Sequence, residues 1–417
     1  MHCIEPVSSF DLSIQAPCSK SIAQRILALS LCCNGKSIIH NIQACEDINA
    51  AIKIINKSGA KTKWIANSLE IISNGIQLNT NSIIECNESG LSCRLFTSLL
   101  CCQKNSFQVH GKGSLVNRSM SFFEKYFPEI NVEIKTNNQK LPFEIKGPLI
   151  PKSIVVDSMN SSQYITGLIY SYLYLGAENK TITINNPVSI PYIDLSIEIA
   201  QIFGFFVKRN KNEILFTKKQ HAIAREINVE GDWSAASLWL VAGALYGKIK
   251  IKGLNINSVQ ADKSILDALK SYGAKIEIKE KELIVEKNQW NSIEFDATDC
   301  PDLFPSLAVL CSKSNGVSKI HGVERLHNKE SNRCKSIIEE FKKFGIAIWT
   351  KNNTMFIDGK CEIKTPQEVI NSHNDHRIAM ATSVIILGCK SSAKINNTKC
   401  VNKSYSEFYN DLNKLYI

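Results

Sequence analysis

The sequence predicts an α/β protein of the α+β type, in which six repeats of about seventy residues divide three and three between two domains. Two series of markers predict the repeat. One series marks where a helical pattern stops before a predicted hairpin, with separations of 69, 76, 69 and 72 residues: Gly59, Pro128, Gly204, Gly273 and Gly345. The other marks the start of each apolar helical run, with separations of 70, 72, 70, 70 and 73 residues: Lys20, Gly90, Ser162, Asp232, Asp302 and Asp375.

Each repeat is predicted to follow the order βαβαββ. An apolar run behind a polar start, such as GDWSAASLWLVAGAL, predicts a buried helix, because Ser, Asp and Gly are typical N-cap residues. A second helical pattern then stops at the glycine marker. Two strand-like stretches follow around a polar turn, as in SYGAKIEIKEKELIV, and predict a hairpin.

The two ends of the sequence predict a discontinuous domain. The last helical pattern, SYSEFYNDLNKLYI, has no hairpin after it, and the stretch 1–14 is extended. We therefore predict that the N-terminal stretch completes the sixth repeat. A central domain would span 15–228, and a second domain would combine 1–14 with 229–417, with the chain crossing near 13–15 and 227–231.

Composition narrows the possible partners. The net charge is +10, but the lysines are scattered among Asn and Ile without a basic tract, which disfavours nucleic acid and favours small polyanionic substrates. The fifteen cysteines have no zinc-site spacing, so no metal is predicted. The N-terminus lacks the apolar segment of a secretory signal and no apolar run is long enough to span a membrane, which predicts a cytoplasmic protein without membrane contact.

The helix starts carry the candidate binding residues. A helix N-terminus offers unbonded N–H groups and about half a positive charge, so it attracts anions. Any one of these residues could be a cap or a solvated charge, but their recurrence at equivalent places favours a cleft that binds phosphate- or carboxylate-bearing small molecules. The polar residues at or between these starts are Lys20, Ser21, Arg25, Arg118, Ser161, Ser162, Gln163, Asp302, Lys329, Glu330, Arg333, His376, Arg377 and Lys403.

Four segments, in order along nearly the whole chain, carry a family resemblance: CSKSIAQR, VSIPYIDLSIEIAQIFG, KESNRCKSIIEEFKKFG and HNDHRIAM. They resemble the signatures of the 3-phosphoshikimate 1-carboxyvinyltransferase (EPSP synthase) family. The resemblance implies two domains of three βαβαββ units each, arranged as an inside-out α/β barrel with the active site in the interdomain cleft. It also implies transfer of the carboxyvinyl (enolpyruvyl) group of phosphoenolpyruvate to the 5-hydroxyl of shikimate 3-phosphate, by a monomer that needs no cofactor.

The resemblance also implies roles for individual residues, with the shikimate-phosphate site in the central domain. The residues for shikimate 3-phosphate would be Lys20, Ser21, Arg25, Ser161, Ser162, Gln163, Ser189, Tyr192, Asp302 and Lys329. Those for phosphoenolpyruvate would be Lys20, Gly90, Arg118, Gln163, Arg333, His376, Arg377 and Lys403. Asp302 would be the base at the hydroxyl, and Lys20 and Glu330 would deliver the proton and assist the leaving phosphate, with the division between these two left open.

The chain departs from the family pattern near the predicted phosphoenolpyruvate residues, where Glu88 stands for the usual Asn and Leu91 for Thr. Three alternatives remain. UDP-N-acetylglucosamine 1-carboxyvinyltransferase would need Asn where this chain has Ser21, and usually has a cysteine in the loop GKGSLVNRSM. An RNA 3′-phosphate cyclase would need a nucleotide-accepting histidine. A catalytically inactive anion-binding homologue would bind the substrates without turnover.

Overall fold

The computed structural model describes residues 1–158, 161–280 and 282–416. The helices are α1 Lys20–Cys32, α2 Glu46–Lys57, α3 Gly90–Leu100, α4 Ser121–Tyr126, α5 Gln163–Tyr174, α6 Ile190–Ile202, α7 Trp233–Tyr246, α8 Ile265–Tyr272, α9 Phe304–Cys311, α10 Arg333–Lys343, α11 His376–Ile386 and α12 Phe408–Asn413. The strands are β1 His2–Ile4, β2 Asp11–Gln15, β3 Asn34–His40, β4 Lys61–Ile65, β5 Ser68–Asn74, β6 Ser82–Glu85, β7 Ser106–His110, β8 Glu133–Asn137, β9 Lys140–Lys146, β10 Ile154–Asp157, β11 Lys180–Asn185, β12 Lys208–Asn210, β13 Glu213–Phe216, β14 Glu226–Asn228, β15 Lys248–Lys252, β16 Lys275–Ile278, β17 Glu282–Glu286, β18 Glu294–Asp296, β19 Val317–His321, β20 Ala347–Lys351, β21 Thr354–Asp358, β22 Ile370–Asn371 and β23 Ala393–Asn396.

The chain divides into two compact units. The central unit is Cys18–Val229, and the discontinuous unit combines Met1–Pro17 with Glu230–Ile417. The first division follows residue 17 and not residue 14, because β2 pairs along its length with β15 and the Ala16 N–H bonds to the Lys252 carbonyl. The second follows Val229, whose N–H bonds to the carbonyl of His40 in the central unit.

The described strands form six separate sheets, three in each unit, and none of these closes into a barrel. Five sheets have four strands in the pattern of β6-β7-β9-β8, where β6 and β7 run parallel and β7, β9 and β8 are antiparallel neighbours. In this repeat α3 connects the parallel strands and α4 leads to the hairpin, which gives the order βαβαββ.

Strands from distant parts of the chain complete three of the sheets. β1 pairs antiparallel with β23 and takes the outer place in the sixth repeat. The prediction that the whole N-terminal stretch belongs to that repeat is wrong for β2, which pairs parallel with β15 in the fourth repeat. In the first repeat β14, near residue 227, pairs parallel with β3. An extended pattern predicts a strand but not its partner, because register depends on the sheet that receives it.

The apolar helices of each unit are buried along almost their whole length. In the central unit α3 packs on α1 and α5, and in the discontinuous unit α7, α9 and α11 pack on one another. All residues of α7 are buried, including Trp233 and Trp239. Burial on every side explains why these runs are apolar around the whole helix.

Most of the predicted helix starts are observed within one residue, at Lys20, Gly90, Gln163, Trp233 and His376. The fifth differs, because Asp302 lies in a short 3-10 helix, Pro301–Leu303, and α9 begins at Phe304. The glycine stops are observed as well: Gly273 has a φ of 94° and its N–H bonds to the carbonyls of Leu269 and Lys270. No helix among residues 1–158, 161–280 and 282–416 is long and apolar enough to cross a bilayer.

Candidate active site

The start of α1 places Lys20 against an acidic residue. Its Nζ lies 2.9 Å from Oδ2 of Asp47 in the first turn of α2. The hydroxyl of the next residue, Ser21, lies 3.4 Å from that of Ser19. The Lys20 side chain is 18% exposed, so an ammonium group held by one carboxylate still reaches solvent. Such a group can bind an anion and can carry a proton.

Arg25 is buried and bonds only to neutral groups within the described chain. Its Nε donates to Ser196 Oγ (2.9 Å), and its Nη1 donates to the Ser21 carbonyl (2.9 Å). Its Nη2 donates to the Tyr192 carbonyl (3.3 Å) and to Thr166 Oγ1 (3.4 Å). Burial lowers the pKa of Arg25, but a guanidinium still remains charged at neutral pH. The network therefore keeps a positive charge where α1, α5 and α6 meet.

The starts of α5 and α6 carry the predicted serines. Ser161 Oγ accepts a hydrogen bond from the Gln163 N–H (3.2 Å), and Ser162 is the N-cap of α5. Ser189 is the N-cap of α6 and has a φ of 52°, while the Tyr192 N–H bonds to its carbonyl (3.0 Å). Non-glycine residues in this conformation are strained and occur often at binding sites. Hydroxyl and N–H groups at two helix starts suit a phosphate.

The start of α3 brings two guanidinium groups together over a glycine. A Cβ added to Gly90 would lie 2.9 Å from Nη1 of both Arg94 and Arg118, and 3.5 Å from Gln163 Oε1. Arg94 Nη1 also donates to Gln163 Oε1 (2.6 Å). Only a residue without a side chain leaves room for both arginines here, and two guanidinium groups suit an anion with several oxygens.

In the discontinuous unit, Arg333 is fully buried among three carboxylates. Its Nε and Nη2 donate to Asp375 (3.0 and 3.3 Å), its Nη1 to Asp302 (2.8 Å) and its Nη2 to Glu330 (2.5 Å). Burial alone would lower the pKa of Arg333, but the carboxylates of Asp375, Glu330 and Asp302 outweigh it and raise the pKa. This arginine therefore fixes two carboxylates that the sequence predicts to be catalytic.

Asp302 is the most densely paired of the candidate catalytic residues. Besides Arg333, its carboxylate accepts from Lys329 Nζ (3.2 Å) and Arg377 Nη2 (3.3 Å). Burial would raise the pKa of Asp302, but these three cations outweigh it and hold the pKa well below its usual range. Burial lowers the pKa of Lys329, against the pull of Asp302. At neutral pH the carboxylate is thus ionised, the state from which a base acts, while the three cations lower its proton affinity.

The remaining predicted residues lie on or near α11. His376 is the first residue of α11 and is buried, with Nδ1 4.0 Å from Asp375 Oδ1. Lys403 is also buried, and its Nζ donates to the carbonyl of Asn374 (2.8 Å). The structure thus divides the predicted residues between two clusters. The central-unit cluster is Lys20, Ser21, Arg25, Gly90, Arg118, Ser161, Ser162, Gln163, Ser189 and Tyr192, and the discontinuous-unit cluster is Asp302, Lys329, Glu330, Arg333, His376, Arg377 and Lys403.

A comparison with known families covers both clusters. The family model described as EPSP synthase (3-phosphoshikimate 1-carboxyvinyltransferase) matches residues 4–412. The chain belongs to the EPSP synthase family. The family resemblance in the sequence is therefore confirmed, and the chain is a transferase of this family.

Relatives and solved structures agree with the family match. The 3-phosphoshikimate 1-carboxyvinyltransferases of Clostridium novyi (strain NT) and Pyrococcus abyssi (strain GE5 / Orsay) are each 34% identical to this chain, covering 98% and 99% of it and 96% and 97% of their own lengths. An EPSP synthase structure from Acinetobacter baumannii has a TM-score of 0.84 at 23% identity, covering 99% of this chain and 97% of that one. The enolpyruvyl transferase NikO from Streptomyces tendae has a TM-score of 0.78 at 14% identity, with the same coverage. These structures confirm the predicted fold class.

Three ionisable residues of this family member were missed by the sequence reading. Arg94 lies one helical turn after Gly90, and that spacing could have revealed it. Asp375 was read only as a helix start, yet it caps α11 by accepting from the Arg377 N–H (3.0 Å) and also binds Arg333. No sequence pattern marked Asp262 as a candidate site residue.

Asp262 is a second buried carboxyl beside the candidate base. It lies in a 3-10 helix, Ala261–Ser264, and is 1% exposed. Burial and the neighbouring charge of Asp302 raise the pKa of Asp262 to about 6, against the opposing effect of Arg377. Two carboxyls with pKa values moved in opposite directions are typical of catalytic sites.

No metal site is formed by His, Cys, Asp or Glu side chains in the part of the chain that the structure describes. The carboxylates of the discontinuous-unit cluster are instead neutralised by the side chains of Lys329, Arg333 and Arg377. Both clusters therefore present the groups that bind anions and move protons.

Proposed function

We propose that this chain transfers the carboxyvinyl group of phosphoenolpyruvate to the 5-hydroxyl of shikimate 3-phosphate. The products are phosphate and 5-enolpyruvylshikimate 3-phosphate, on the route to aromatic amino acids. The observation that carries the proposal is the family match over residues 4–412, with the family's signature residues gathered into two clusters.

The central-unit cluster suits the recognition of shikimate 3-phosphate. Ser161, Ser162 and Ser189, at the starts of α5 and α6, would donate to its phosphate, since each helix start offers hydroxyl and N–H groups. Arg25 would add a fixed positive charge, because it is buried and its hydrogen bonds within the described chain go to neutral oxygens. Ser21, Gln163 and Tyr192 would contact the ring, as the resemblance implies.

Phosphoenolpyruvate needs cations for both its carboxylate and its phosphate. Arg118 beside Gly90 supplies one guanidinium fork, and Lys20 supplies an ammonium group. Arg333, Arg377, His376 and Lys403 of the discontinuous unit would complete this binding. Arg333 is so fully engaged by carboxylates that we assign it mainly to holding Asp302 and Glu330 in place.

Asp302 is assigned as the base. The 5-hydroxyl oxygen attacks C2 of phosphoenolpyruvate and passes its proton to Asp302, while C3 takes up a proton from an acid on the other side. The C2–O bond to phosphate then breaks, and C3 loses a proton to restore the double bond. Lys20 and Glu330 are the proposed proton carriers at C3 and at the leaving phosphate. Lys329 would contact the shikimate hydroxyls beside Asp302.

We also propose that the protein is a cytoplasmic monomer. Its fifteen cysteines are all free, as expected in a reducing compartment. A light-scattering mass near 46.6 kDa would support the monomer, and about twice that mass would overturn it.

The deciding experiment measures phosphate release from phosphoenolpyruvate with two acceptors. Release with shikimate 3-phosphate alone supports the proposal. Release only with UDP-N-acetylglucosamine would move the chain to that alternative substrate. Binding of both proposed substrates without release, in a folded sample, would favour the inactive anion-binding homologue.

A further inference from the structure

The departure from the family pattern at Glu88 lies beside the loop that carries Arg118. This loop follows β7 and contains a 3-10 helix, Gly113–Asn117, which ends immediately before Arg118. Gly113 has a φ of 53°, and a Cβ added to it would overlap the carboxyl group of Glu88. The carboxyl therefore packs directly on the backbone of Gly113.

Hydrogen bonds connect the same carboxyl to the arginine. The Ser114 N–H, in the first turn of the 3-10 helix, donates to Glu88 Oε2 (3.4 Å). Arg118 Nη2 donates to Ser114 Oγ (3.5 Å), and the Arg118 N–H bonds to the Leu115 carbonyl (3.1 Å). The first turn of a helix lacks backbone acceptors for its N–H groups, so a carboxylate there stabilises the turn.

The backbone next to Glu88 is fixed to the same loop. The Lys112 N–H donates to the Asn87 carbonyl (2.7 Å), and the Cys86 N–H donates to the His110 carbonyl (2.9 Å). Two residues after Glu88, α3 begins at Gly90, over which the Arg118 guanidinium lies. One short segment thus holds both the loop and the surface that the arginine faces.

We infer that Glu88 and Gly113 form a clamp that positions Arg118 for phosphoenolpyruvate. Glu88 is a positioning residue, because it acts through the loop and not on the substrate. The inference rests on the proposed function. An asparagine side chain is one methylene shorter and uncharged, so it would not place a carboxylate against Gly113 and the Ser114 N–H.

The test compares steady-state constants of Glu88→Ala, Glu88→Gln and the wild-type enzyme. Glu88→Ala removes the acceptor, and we expect the KM for phosphoenolpyruvate to rise about fivefold, the size of one hydrogen bond's net contribution, with the KM for shikimate 3-phosphate unchanged. Glu88→Gln keeps an acceptor of the same length and should recover most of the loss. Glu144→Ala, which removes an exposed glutamate from β9 of the same repeat, is the control and should leave both constants unchanged.

Gly113→Ala tests the packing half of the clamp. It should raise the same KM, because the added methyl group displaces the carboxyl of Glu88. Gly176→Ala is its matched control, since Gly176 has a similar φ of 64° and the three atoms nearest to a Cβ added there belong to the flexible Lys219 side chain. Both variants carry the backbone strain of a positive φ, and only Gly113→Ala should change the use of phosphoenolpyruvate.

A double-mutant cycle decides whether Glu88 acts through Arg118. In an Arg118→Ala background, Glu88→Ala should add no further change in the KM for phosphoenolpyruvate, because the positioned group is gone. Additive effects would overturn the inference, and so would an unchanged KM in Glu88→Ala. If the wild-type enzyme itself released no phosphate with shikimate 3-phosphate, the proposed function would fail, and the assigned role of this clamp would fail with it.

Hydrogen exchange of the loop separates positioning from simple stability. Peptides covering residues 111–118 should exchange faster in Glu88→Ala, while the rest of the central unit is unchanged. Faster exchange with wild-type KM values would show that the clamp orders the loop without serving substrate binding, which would also overturn the inference.

Discussion

Replacing Arg333 with methionine should destabilise the discontinuous unit in a pH-dependent way. The cluster holds three cations, Lys329, Arg333 and Arg377, against three carboxylates, Asp302, Glu330 and Asp375. Methionine fills a similar length without charge, so the Arg333→Met variant retains an uncompensated negative charge. Removing one partner of a buried ion pair costs about 3 to 5 kcal/mol of folding free energy.

Most of this loss should come from Asp375. This carboxylate is fully buried and loses two of its hydrogen bonds, keeping those from the Arg377 N–H and from Ser331 Oγ. The contribution of Asp302 to this loss of folding free energy should be smaller, since its side chain is 29% exposed and retains its bonds to Lys329 and Arg377. We therefore expect a loss near the middle of the range above.

The sign of the pH dependence follows from the pKa of Asp375. Burial would raise the pKa of Asp375, but Arg333 outweighs burial and lowers it. The ionised carboxylate therefore stabilises the wild-type fold above the unfolded pKa of Asp375, and this stabilisation is lost as pH falls through the folded pKa. Without Arg333, burial should raise the folded pKa above the unfolded one. The variant would then be most stable at low pH and would weaken as pH rises. The difference between the two proteins should be larger at about pH 8 than at about pH 5.

Urea unfolding followed by tryptophan fluorescence would measure this difference. The probes report mainly on the discontinuous unit, because it contains Trp233, Trp239, Trp290 and Trp349. Arg25→Met, followed by circular dichroism, is the matched control. Arg25 is also buried, but among the described residues its bonds go to hydroxyl and carbonyl oxygens and to no carboxylate, so its loss should be the same at both pH values. A loss below about 1 kcal/mol for Arg333→Met, or an equal loss at both pH values, would refute the reasoning.

Three further predictions concern the same clusters. Asp302→Asn should still bind both substrates by calorimetry but lose turnover by about a hundredfold or more, because the base is gone; retention of wild-type phosphate release would remove Asp302 from that role. Gly90→Ala places a methyl group 2.9 Å from the guanidinium groups of Arg94 and Arg118, so kinetics should show a higher KM for phosphoenolpyruvate alone. Asp262→Asn should stabilise the protein more at about pH 8 than at about pH 5, because the raised pKa of the wild-type carboxyl makes the folded state less stable as pH rises above the unfolded pKa of Asp262. Denaturant titrations should show a gain in the free energy of unfolding of at most about 3 kcal/mol.

The local order of the fold was predictable because its signals are local. A polar cap followed by an apolar run placed the starts of five buried helices within one residue, as at Asp232 before α7. The pairing of β2 with β15 was not predictable, since the two strands are more than two hundred residues apart in the sequence. An extended pattern predicts a strand but does not indicate which strand it pairs with. Before α9, the chain first makes the 3-10 turn Pro301–Leu303. Pro305 has no N–H to donate to the Pro301 carbonyl, so a regular α-helical turn cannot begin at Asp302.

The candidate site was predictable from the polar residues at or between the marked helix starts and from the family's signature segments, but not where a charged residue lies inside an apolar pattern. Arg94 lies among buried residues of the apolar helix α3, whose pattern is typical of a core. Its guanidinium nevertheless donates a hydrogen bond to Gln163 Oε1. Asp262 gave no pattern, because its raised pKa depends on burial and then on the charge of Asp302, which is forty residues further along the chain. Burial of an ionisable group is decided by tertiary neighbours, and a single sequence does not contain them.

The arginines of the two clusters have different roles, because the two clusters differ in their balance of cations and carboxylates. In the central unit, the cations Lys20, Arg25, Arg94 and Arg118 and the carboxylates of Asp47 and Glu88 together carry two net positive charges, which favours the binding of anionic substrates. In the discontinuous unit, the network around Arg333 sets three cations, Lys329, Arg333 and Arg377, against three carboxylates, Asp302, Glu330 and Asp375. Loss of a central-unit arginine such as Arg118 should therefore weaken substrate binding before it weakens folding. Loss of Arg333 should do the reverse, because its partners are the protein's own carboxylates and remain buried after it is gone.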